Sequence, residues 1–220
     1  MPKALLENHQ LWILFLLGRQ NHNYERDMTI AAHKLLCGNL QLDPQLDAYF
    51  ARYKSLSGPN NRIEGTMLLR EATDEDAPTL FSVMQAAFEQ YRGQLDPPSG
   101  VHKETIETIL SKLKEGSAAI VLVDNKVAGC VFYHAEGSHL ELSRLSVLPA
   151  YRRQGLGREL ISYVEMKAQE LNLRRVRLGV RLALLGLRAY YEGQGYLAVE
   201  YKAHEGYPEP TYVIMEKEVS

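Results

Sequence analysis

The chain has 220 residues, 25 basic and 27 acidic, and its net charge of −2 gives no global basic field of the kind that nucleic-acid-binding proteins carry. Hydrophobic residues make up 45% and charged residues 24%, which is typical of an ordinary globular protein with a buried core. Neither of the two cysteines, Cys37 and Cys130, lies in a metal-ligand spacing. We therefore expect no nucleic-acid partner, no disulfide framework and a cytoplasmic location.

The first sixty residues have a different pattern from the rest of the chain. Apolar residues recur at helical spacing, for example over residues 28–36. Residues 55–61 are rich in Ser, Gly, Pro and Asn, which interrupt regular structure. We predict a small helical N-terminal region over residues 1–54, a linker over 55–65 and a second domain over 66–220.

The apolar run over residues 11–17 raises the question of a signal peptide or a membrane span. It is only seven residues long and no small-residue cleavage site follows it, so it predicts neither. A buried helix or a self-association surface is the better interpretation. We expect no membrane partner, and a homodimer formed through the N-terminal helical region follows from the self-association interpretation.

From residue 66 the pattern becomes a mixture of strands and helices. Apolar runs predict strands over 67–70, 118–123, 127–133, 140–147 and 174–180, and helical periodicity predicts helices over 73–90, 102–113 and 155–171. The Asp-Asn-Lys sequence at 124–126 predicts a hairpin turn. Residues 201–210 predict a loop between the last two strands, in which His204 and Glu205 could line a substrate pocket.

The most informative stretch is a glycine-rich turn between a predicted strand and a predicted helix. It reads Arg-Arg-Gln-Gly-Leu-Gly over residues 152–157. Gly155 and Gly157 let backbone amides approach an anion closely, and the helix N-terminus and the arginines add positive charge. The third glycine of a dinucleotide-binding turn and the Gly-Lys-Ser/Thr of a P-loop are both absent. The turn predicts a phosphorylated cofactor, and a tight structural turn is the alternative for the glycine pair alone.

The strand before this turn changes its buried face part-way along. Apolar residues fall at Leu140 and Leu142 and then at Leu145 and Val147, so the period-two alternation slips by one residue. From the pattern alone, a bulge near residues 143–144 and a simple change of buried face at a sheet edge explain the slip equally well. A bulge would free backbone amides and carbonyls to bind an amide-containing ligand.

Two motifs in this region are similar to those of a known enzyme family. Residues 145–157, Leu-Ser-Val-Leu-Pro-Ala-Tyr-Arg-Arg-Gln-Gly-Leu-Gly, resemble the acetyl-CoA-binding motif of the GNAT N-acetyltransferases. Residues 189–196, Ala-Tyr-Tyr-Glu-Gly-Gln-Gly-Tyr, resemble the Tyr-x-x-x-Gly-Phe/Tyr ending of that family. The resemblance covers about residues 67–219. It implies an α/β (α+β) fold with a mixed, mostly antiparallel sheet, flanking helices and a splayed parallel strand pair, and it favours the bulge.

The same resemblance implies acetyl-CoA as cosubstrate and no metal. The backbone amide of Val147 would meet the thioester end, and the amides over 154–158 would meet the pyrophosphate. The cofactor-binding residues implied in this way are Leu145, Val147, Arg152, Arg153, Gln154, Gly155, Leu156, Gly157 and Arg158. One position departs from the family, because Leu184 stands seven residues before Tyr191, where the family often carries Asn.

Acetyl transfer from a thioester to an amine needs a neutral amine, a polarised carbonyl and a proton for the departing thiolate. Tyr191 holds the motif position at which the family often has its general acid. A tyrosine in an apolar helical run also suits a core role, and Tyr190 should point to a different face of the helix. Glu141 is the candidate base, with a solvated strand glutamate as the alternative. His134 and His139 are nearby alternative bases.

These observations predict an enzyme that transfers acetyl directly from acetyl-CoA to a primary amine of a small molecule or a peptide, in a ternary complex. Cys130 lies among apolar strand residues, which predicts a core position rather than an acylated nucleophile. A catalytically weak acyl-CoA-binding sensor or interaction module is the alternative. Leu184 and the unexplained N-terminal region are the reasons to keep it.

Overall fold

The computed structural model describes residues 66–219. The predicted N-terminal helical region, its linker and the apolar run over 11–17 lie outside the described residues, and so does any homodimer formed through them. Within the described part of the chain, no helix is both long enough and apolar enough to span a membrane.

A seven-stranded sheet runs through the centre of the described region. Its strands are β1 (Met67–Glu71), β2 (Ser117–Val123), β3 (Lys126–Glu136), β4 (His139–Val147), β5 (Arg175–Arg181), β6 (Leu197–Lys202) and β7 (Tyr212–Glu218). Their order across the sheet is β1-β2-β3-β4-β5-β7-β6. All neighbouring pairs are antiparallel except β4 and β5, which are parallel. This mixed sheet confirms the predicted fold class.

Helices cover both faces of the sheet. They are α1 (Ala77–Phe88), α2 (Ile106–Glu115), α3 (Leu156–Glu170) and α4 (Leu185–Glu192). The apolar stripe of α3 is buried in one core cluster together with Ala119 and Val121 of β2. Residues of α1 and α2 are buried in a second cluster together with Ala118 and Ile120. Because successive strand residues point to opposite faces, α3 lies on one face of the sheet and α1 and α2 lie on the other.

The start of α2 differs from the predicted helix over 102–113. The helix begins at Ile106, and residues 100–103 form a separate 3₁₀ turn. Thr105 caps the helix, since its hydroxyl accepts from the Thr108 amide at 3.3 Å and its own amide donates to the Thr108 hydroxyl at 2.9 Å. Glu104, just before the cap, is extended with ψ of 149°. This extended residue separates the two helical segments that the apolar periodicity merged.

The predicted bulge is present in β4. Cys130 of β3 pairs with Ser146, and Phe132 pairs with Ser143, so β4 carries one residue more than β3 over this interval. Arg144 accommodates the extra length with a left-handed φ of 54°. The slip in the apolar alternation is therefore a bulge and not only a change of buried face.

The parallel pairing of β4 with β5 is short. It joins residues 140–142 of β4 to residues 176–178 of β5. Beyond this point β4 runs on to Val147 and β5 runs on to Arg181 without pairing with each other. The sheet therefore opens between its two parallel strands, as the predicted splayed pair requires.

Candidate active site

A cavity of about 790 Å³ opens where β4 and β5 separate. Its walls come from these two strands, the glycine-rich turn, α4, the connection between α1 and α2, and the loop between β6 and β7. The predicted site residues that line it are Glu141, Leu145, Val147, Arg152, Arg153, Gly155, Leu156, Gly157, Arg158 and Tyr191. Gln154 does not line it, and its side-chain amide donates instead to the Ala150 carbonyl at 3.2 Å.

The glycine-rich turn brings the N-terminus of α3 to the cavity. Gly155 caps the helix with a φ of 88°, and Arg153 has a φ of 60°. A methyl group on Gly157 would lie 2.9 Å from the Tyr190 hydroxyl, so a side chain at this position must displace that ring. The first amides of a helix have no intrahelical acceptor. The turn therefore presents free donors in the positive end of a helix dipole, which is an arrangement that binds anions.

Arg152 holds this turn in place through its side chain. Its Nε donates to the Val147 carbonyl at 3.1 Å, its Nη1 to the Gln90 side-chain oxygen at 2.7 Å and its Nη2 to the Ala87 carbonyl at 2.9 Å. Ala87 lies in the last turn of α1, where helix carbonyls lack intrahelical partners. The guanidinium thus ties the turn to both β4 and α1. The motif alone did not reveal this role.

The bulge of β4 is fixed by polar contacts on both sides. Arg144 forms an ion pair with Glu104, with Nη2 at 2.9 Å from Oε1. The Ser146 hydroxyl donates to the Arg144 carbonyl at 2.8 Å. Leu145 lies within the bulge and Val147 lies beyond it. Both residues line the cavity, because β5 does not pair with this part of β4.

Glu141 lies in the last paired stretch before β4 and β5 separate. Its side chain is 22% exposed, and burial, reinforced by the negative charge of Glu136, raises its pKa to about 7. The positive charges of Arg177 and Lys202 oppose this shift. Arg177 is the register partner of Glu141 but also forms an ion pair with Glu216. The Glu141 carboxyl is consequently near half-ionised at neutral pH and can take up or release a proton.

The two histidines near Glu141 do not line the cavity. His139 lies with its Nε2 at 3.8 Å from Glu141 Oε2, and burial lowers its pKa. The His134 side chain is 45% exposed, with its Nε2 at 3.7 Å from a Glu136 carboxylate oxygen. Among residues 66–219, only Glu136, His139 and Glu141 group their potential ligand atoms closely enough for a metal ion, within 4.8 Å of one another. The expected absence of a metal therefore stays a prediction.

Tyr191 reaches the cavity from α4. Its side chain is 5% exposed, and its ring packs edge-on against Tyr190 and Tyr196 at centroid distances of 5.5 and 5.8 Å. Burial is the main cause that raises the pKa of its hydroxyl, so Tyr191 stays protonated at neutral pH. Tyr190 also lines the cavity, but at the glycine-rich turn, where its hydroxyl lies over Gly157.

Leu184 and Cys130 are the two remaining residues that the sequence singled out. Leu184 lines the cavity at the residue before α4, where an apolar side chain can donate no hydrogen bond to a ligand. Cys130 is fully buried, and this burial raises its thiol pKa to about 12. This burial confirms the predicted core position of Cys130. A thiol that stays protonated and does not line the cavity is also a poor nucleophile.

Comparison with known proteins identifies the family. The model of the acetyltransferase (GNAT) family matches residues 80–196, which is more than half of the chain. The chain belongs to the GNAT acetyltransferase family. No curated protein sequence matches it.

Solved structures share the fold at low sequence identity. The ribosomal-protein-S18-alanine N-acetyltransferase from Escherichia coli is 20% identical, with a TM-score of 0.58 over 70% of this chain and 95% of that chain. Ard1 from Thermoplasma volcanium is 19% identical, with a TM-score of 0.59 over 70% and 98%. The PaiA N-acetyltransferase from Thermoplasma acidophilum, in complex with coenzyme A, is 20% identical, with a TM-score of 0.57 over 70% and 99%.

GNAT membership supports acetyl transfer as the general chemistry and acetyl-CoA as the cosubstrate. The described residues fit that cosubstrate. The α3 N-terminus offers free amides next to Gly157, which has no side chain to block a phosphate. The end of β4 has no parallel partner beyond residue 142, so its backbone is available to an amide-containing arm.

The cavity also contains a residue that the motifs did not indicate. Arg181, at the end of β5, lines the cavity beside His204 of the β6–β7 loop. The prediction that His204 lines a pocket agrees with its place in the cavity wall, whereas Glu205 does not line it. Near Arg181, the Tyr207 hydroxyl donates to the Asp96 carboxylate and so joins this loop to the α1–α2 connection. No local pattern predicts a contact between residues more than one hundred positions apart.

Proposed function

We propose that this protein is an N-acetyltransferase that moves an acetyl group from acetyl-CoA to a primary amine of a small molecule or a peptide, directly and in a ternary complex. The observation that carries the proposal is that Glu141 and Tyr191 line one cavity together with the glycine-rich turn. A proton acceptor, a proton donor and a turn that binds anions therefore face the same cavity. Acetyl-CoA supplies the activated acetyl group when bound.

The glycine-rich turn and the end of β4 hold the cosubstrate in this proposal. Amides over residues 154–158, with the charges of Arg153 and Arg158, bind the pyrophosphate. Arg152 acts by fixing the turn, because its side chain is already hydrogen-bonded to three protein acceptors. The backbone near Leu145 and Val147 hydrogen-bonds the arm that leads to the thioester.

Glu141 is the general base. It takes a proton from the acceptor ammonium, so that the amine nitrogen has a free lone pair when its bond to the acetyl carbon forms. A base works best when its pKa lies near the working pH, and the Glu141 pKa of about 7 meets that condition. Its partial burial also keeps the carboxylate less solvated and more reactive than an exposed glutamate.

Tyr191 is the general acid. As the carbon–sulfur bond breaks, its hydroxyl gives a proton or a hydrogen bond to the departing sulfur. The raised pKa keeps Tyr191 protonated over the whole physiological range. Direct transfer is supported further by Cys130, which is buried outside the cavity and cannot serve as a covalent carrier.

The proposal is tested by steady-state kinetics with acetyl-CoA and a panel of small amines, amino acids and peptides. Direct transfer predicts N-acetylated product and intersecting lines when both substrates are varied. Parallel lines would indicate a covalent intermediate and contradict the ternary complex. Tight coenzyme A binding, measured by calorimetry, without turnover on any amine would favour the acyl-CoA-binding sensor instead.

A further inference from the structure

Arg181 lies on the sheet face that points away from α3. The alternate residues Val176, Leu178 and Val180 of β5 are buried in the same cluster as the α3 stripe, so the remaining residues of the strand face the other way. On that face Gly179 leaves a low surface, since a methyl group there would meet only the Tyr212 and Ile214 side chains at 3.7 and 3.9 Å. Arg181 therefore stands at the side of an open section of the cavity.

The charge of Arg181 is poorly compensated by the protein. Its Nη2 donates to the Pro97 carbonyl at 2.6 Å, while its Nε is buried and has no hydrogen-bond partner in the described part of the chain. Burial is the main cause that lowers its pKa, with opposing effects from Tyr207 and Asp96. Asp96 is itself exposed and bound by the Tyr207 hydroxyl. A buried guanidinium donor without an acceptor is costly unless a ligand supplies one.

Two other arginines that line the cavity, Arg144 and Arg152, differ from Arg181 because protein acceptors satisfy them. Arg144 is paired with Glu104 at 2.9 Å, and Arg152 donates to three protein acceptors. His204, beside Arg181, contacts the Thr211 hydroxyl, and its pKa is lowered first by burial and then by the Arg181 charge. A neutral histidine does not supply the negative partner that Arg181 lacks.

We infer that Arg181 forms an anion subsite in the acceptor half of the cavity, and that the acceptor is an amine that also carries a carboxylate. The inference rests on the proposed function, because it concerns the acceptor of the same cavity. Guanidinium groups bind carboxylates with paired, charge-assisted hydrogen bonds, so an acceptor carboxylate would satisfy the free Nε and the net charge together.

The spacing of charges on the sheet face suits such an acceptor. Glu141 pairs in register with Arg177, and Arg181 lies four residues further along β5, roughly 13 Å at about 3.3 Å per residue. The side chains of Glu141 and Arg181 both line the cavity. The distance between their positions leaves room for a compact zwitterion. Its ammonium would face Glu141 and its carboxylate would face Arg181.

The test uses amino acids, each measured beside its own carboxamide, with longer ω-amino acids and their amides to vary the spacing between amine and carboxylate. We expect the unsubstituted protein to prefer at least one acid over its amide by about tenfold or more in kcat/KM, as the loss of a charge-assisted contact predicts. Arg181→Gln should remove most of this preference through KM, and Arg181→Lys should keep part of it. Calorimetric titration of the preferred acid into the coenzyme A-bound proteins should show the tightest binding for the unsubstituted protein, weaker binding for Arg181→Lys and the weakest for Arg181→Gln.

Arg175→Gln is the matched control. Arg175 lies on the same face at the other end of β5, does not line the cavity, and donates to the Ser138 hydroxyl at 2.8 Å. This variant removes the same charge and should keep the preference for acids. A purely structural Arg181 that anchors Pro97 would lower the rates with acids and amides equally and leave their ratio unchanged.

The possible failures are distinguishable. Equal or faster acetylation of the amides by the unsubstituted protein would overturn the inference and leave the proposed function intact. Failure to acetylate any amine or amide, with coenzyme A still bound, would overturn the proposed function and the inference with it. An unchanged acid-to-amide ratio in a folded Arg181→Gln variant would also overturn the inference.

Discussion

At the scale of single residues, Tyr191 and Glu141 carry the proposed proton transfers. Tyr191→Phe removes one hydroxyl from a buried ring without leaving a large cavity, so packing should be kept while the proton donor is lost. We expect kcat to fall by about 10²-fold with little change in KM for acetyl-CoA. Initial-rate kinetics on purified protein measure both quantities.

Tyr196→Phe is the control for Tyr191. Its ring lies 5.8 Å from that of Tyr191, and its hydroxyl donates to Glu165 rather than facing the cavity. The same atom is removed from a neighbouring ring, so kcat should change by less than about threefold if only packing is affected. Equal losses in both variants would show that Tyr191 acts through packing and not as an acid.

The raised pKa of Glu141 predicts a pH dependence. The base must be ionised to accept a proton, so kcat/KM for the amine should rise with pH through about 7 and then level before the amine itself titrates. Glu141→Gln should lose this step and retain only the step that belongs to the amine. A pH–rate profile from pH 5 to 9 measures it, and a step near 7 that persists in Glu141→Gln would exclude Glu141 as its source.

At the scale of elements, the glycine-rich turn sets the geometry of the cosubstrate end. Gly157→Ala places a methyl group 2.9 Å from the Tyr190 hydroxyl and beside the free amides of α3. The methyl group must displace the Tyr190 side chain, and this changes the surface that the turn presents beside the N-terminus of α3. We expect KM for acetyl-CoA to rise by about tenfold or more, with a smaller effect on kcat.

Gly186→Ala provides the matched change in another element. A methyl group at Gly186, in the first turn of α4, meets nothing within 4 Å, and alanine is the better helix former. Its KM for acetyl-CoA should stay within about twofold of the unsubstituted value. A similar rise in both variants would show that the effect of Gly157→Ala is not specific to the turn.

The elements also show how far local patterns reach. The one-residue slip before Leu145 left two explanations open, a bulge and a change of buried face, and the family resemblance favoured the bulge. The structure contains the bulge, which is an entirely local feature. The predicted start of α2 was wrong, because the Thr105 cap decides where the helix begins and the apolar periodicity does not show the cap. The hydrogen bond from Arg152 to the Ala87 carbonyl joins positions sixty-five residues apart. The hydrogen bond from Tyr207 to Asp96 joins positions even further apart. Such contacts depend on how elements pack, which a single sequence does not encode in any local period.

For the molecule as a whole, the site is an opening in the sheet that the protein closes only partly. Three residue pairs join β4 to β5, and beyond them neither strand has a partner across the gap. A ligand that hydrogen-bonds the free end of β4 and the N-terminus of α3 would bind the folded chain and not the unfolded one. Cosubstrate binding should therefore be coupled to global stability.

The last prediction follows from this coupling. At a coenzyme A concentration of about 100 times its Kd, the free energy of unfolding should rise by about 2.7 kcal/mol, and the unfolding midpoint should rise with it. Thermal or urea unfolding of the full chain across a coenzyme A titration measures the shift. Gly157→Ala should need a roughly tenfold higher concentration for the same shift, whereas Gly186→Ala should follow the unsubstituted protein. An unfolding midpoint that does not move with coenzyme A would mean that the opening between β4 and β5 does not hold the cosubstrate.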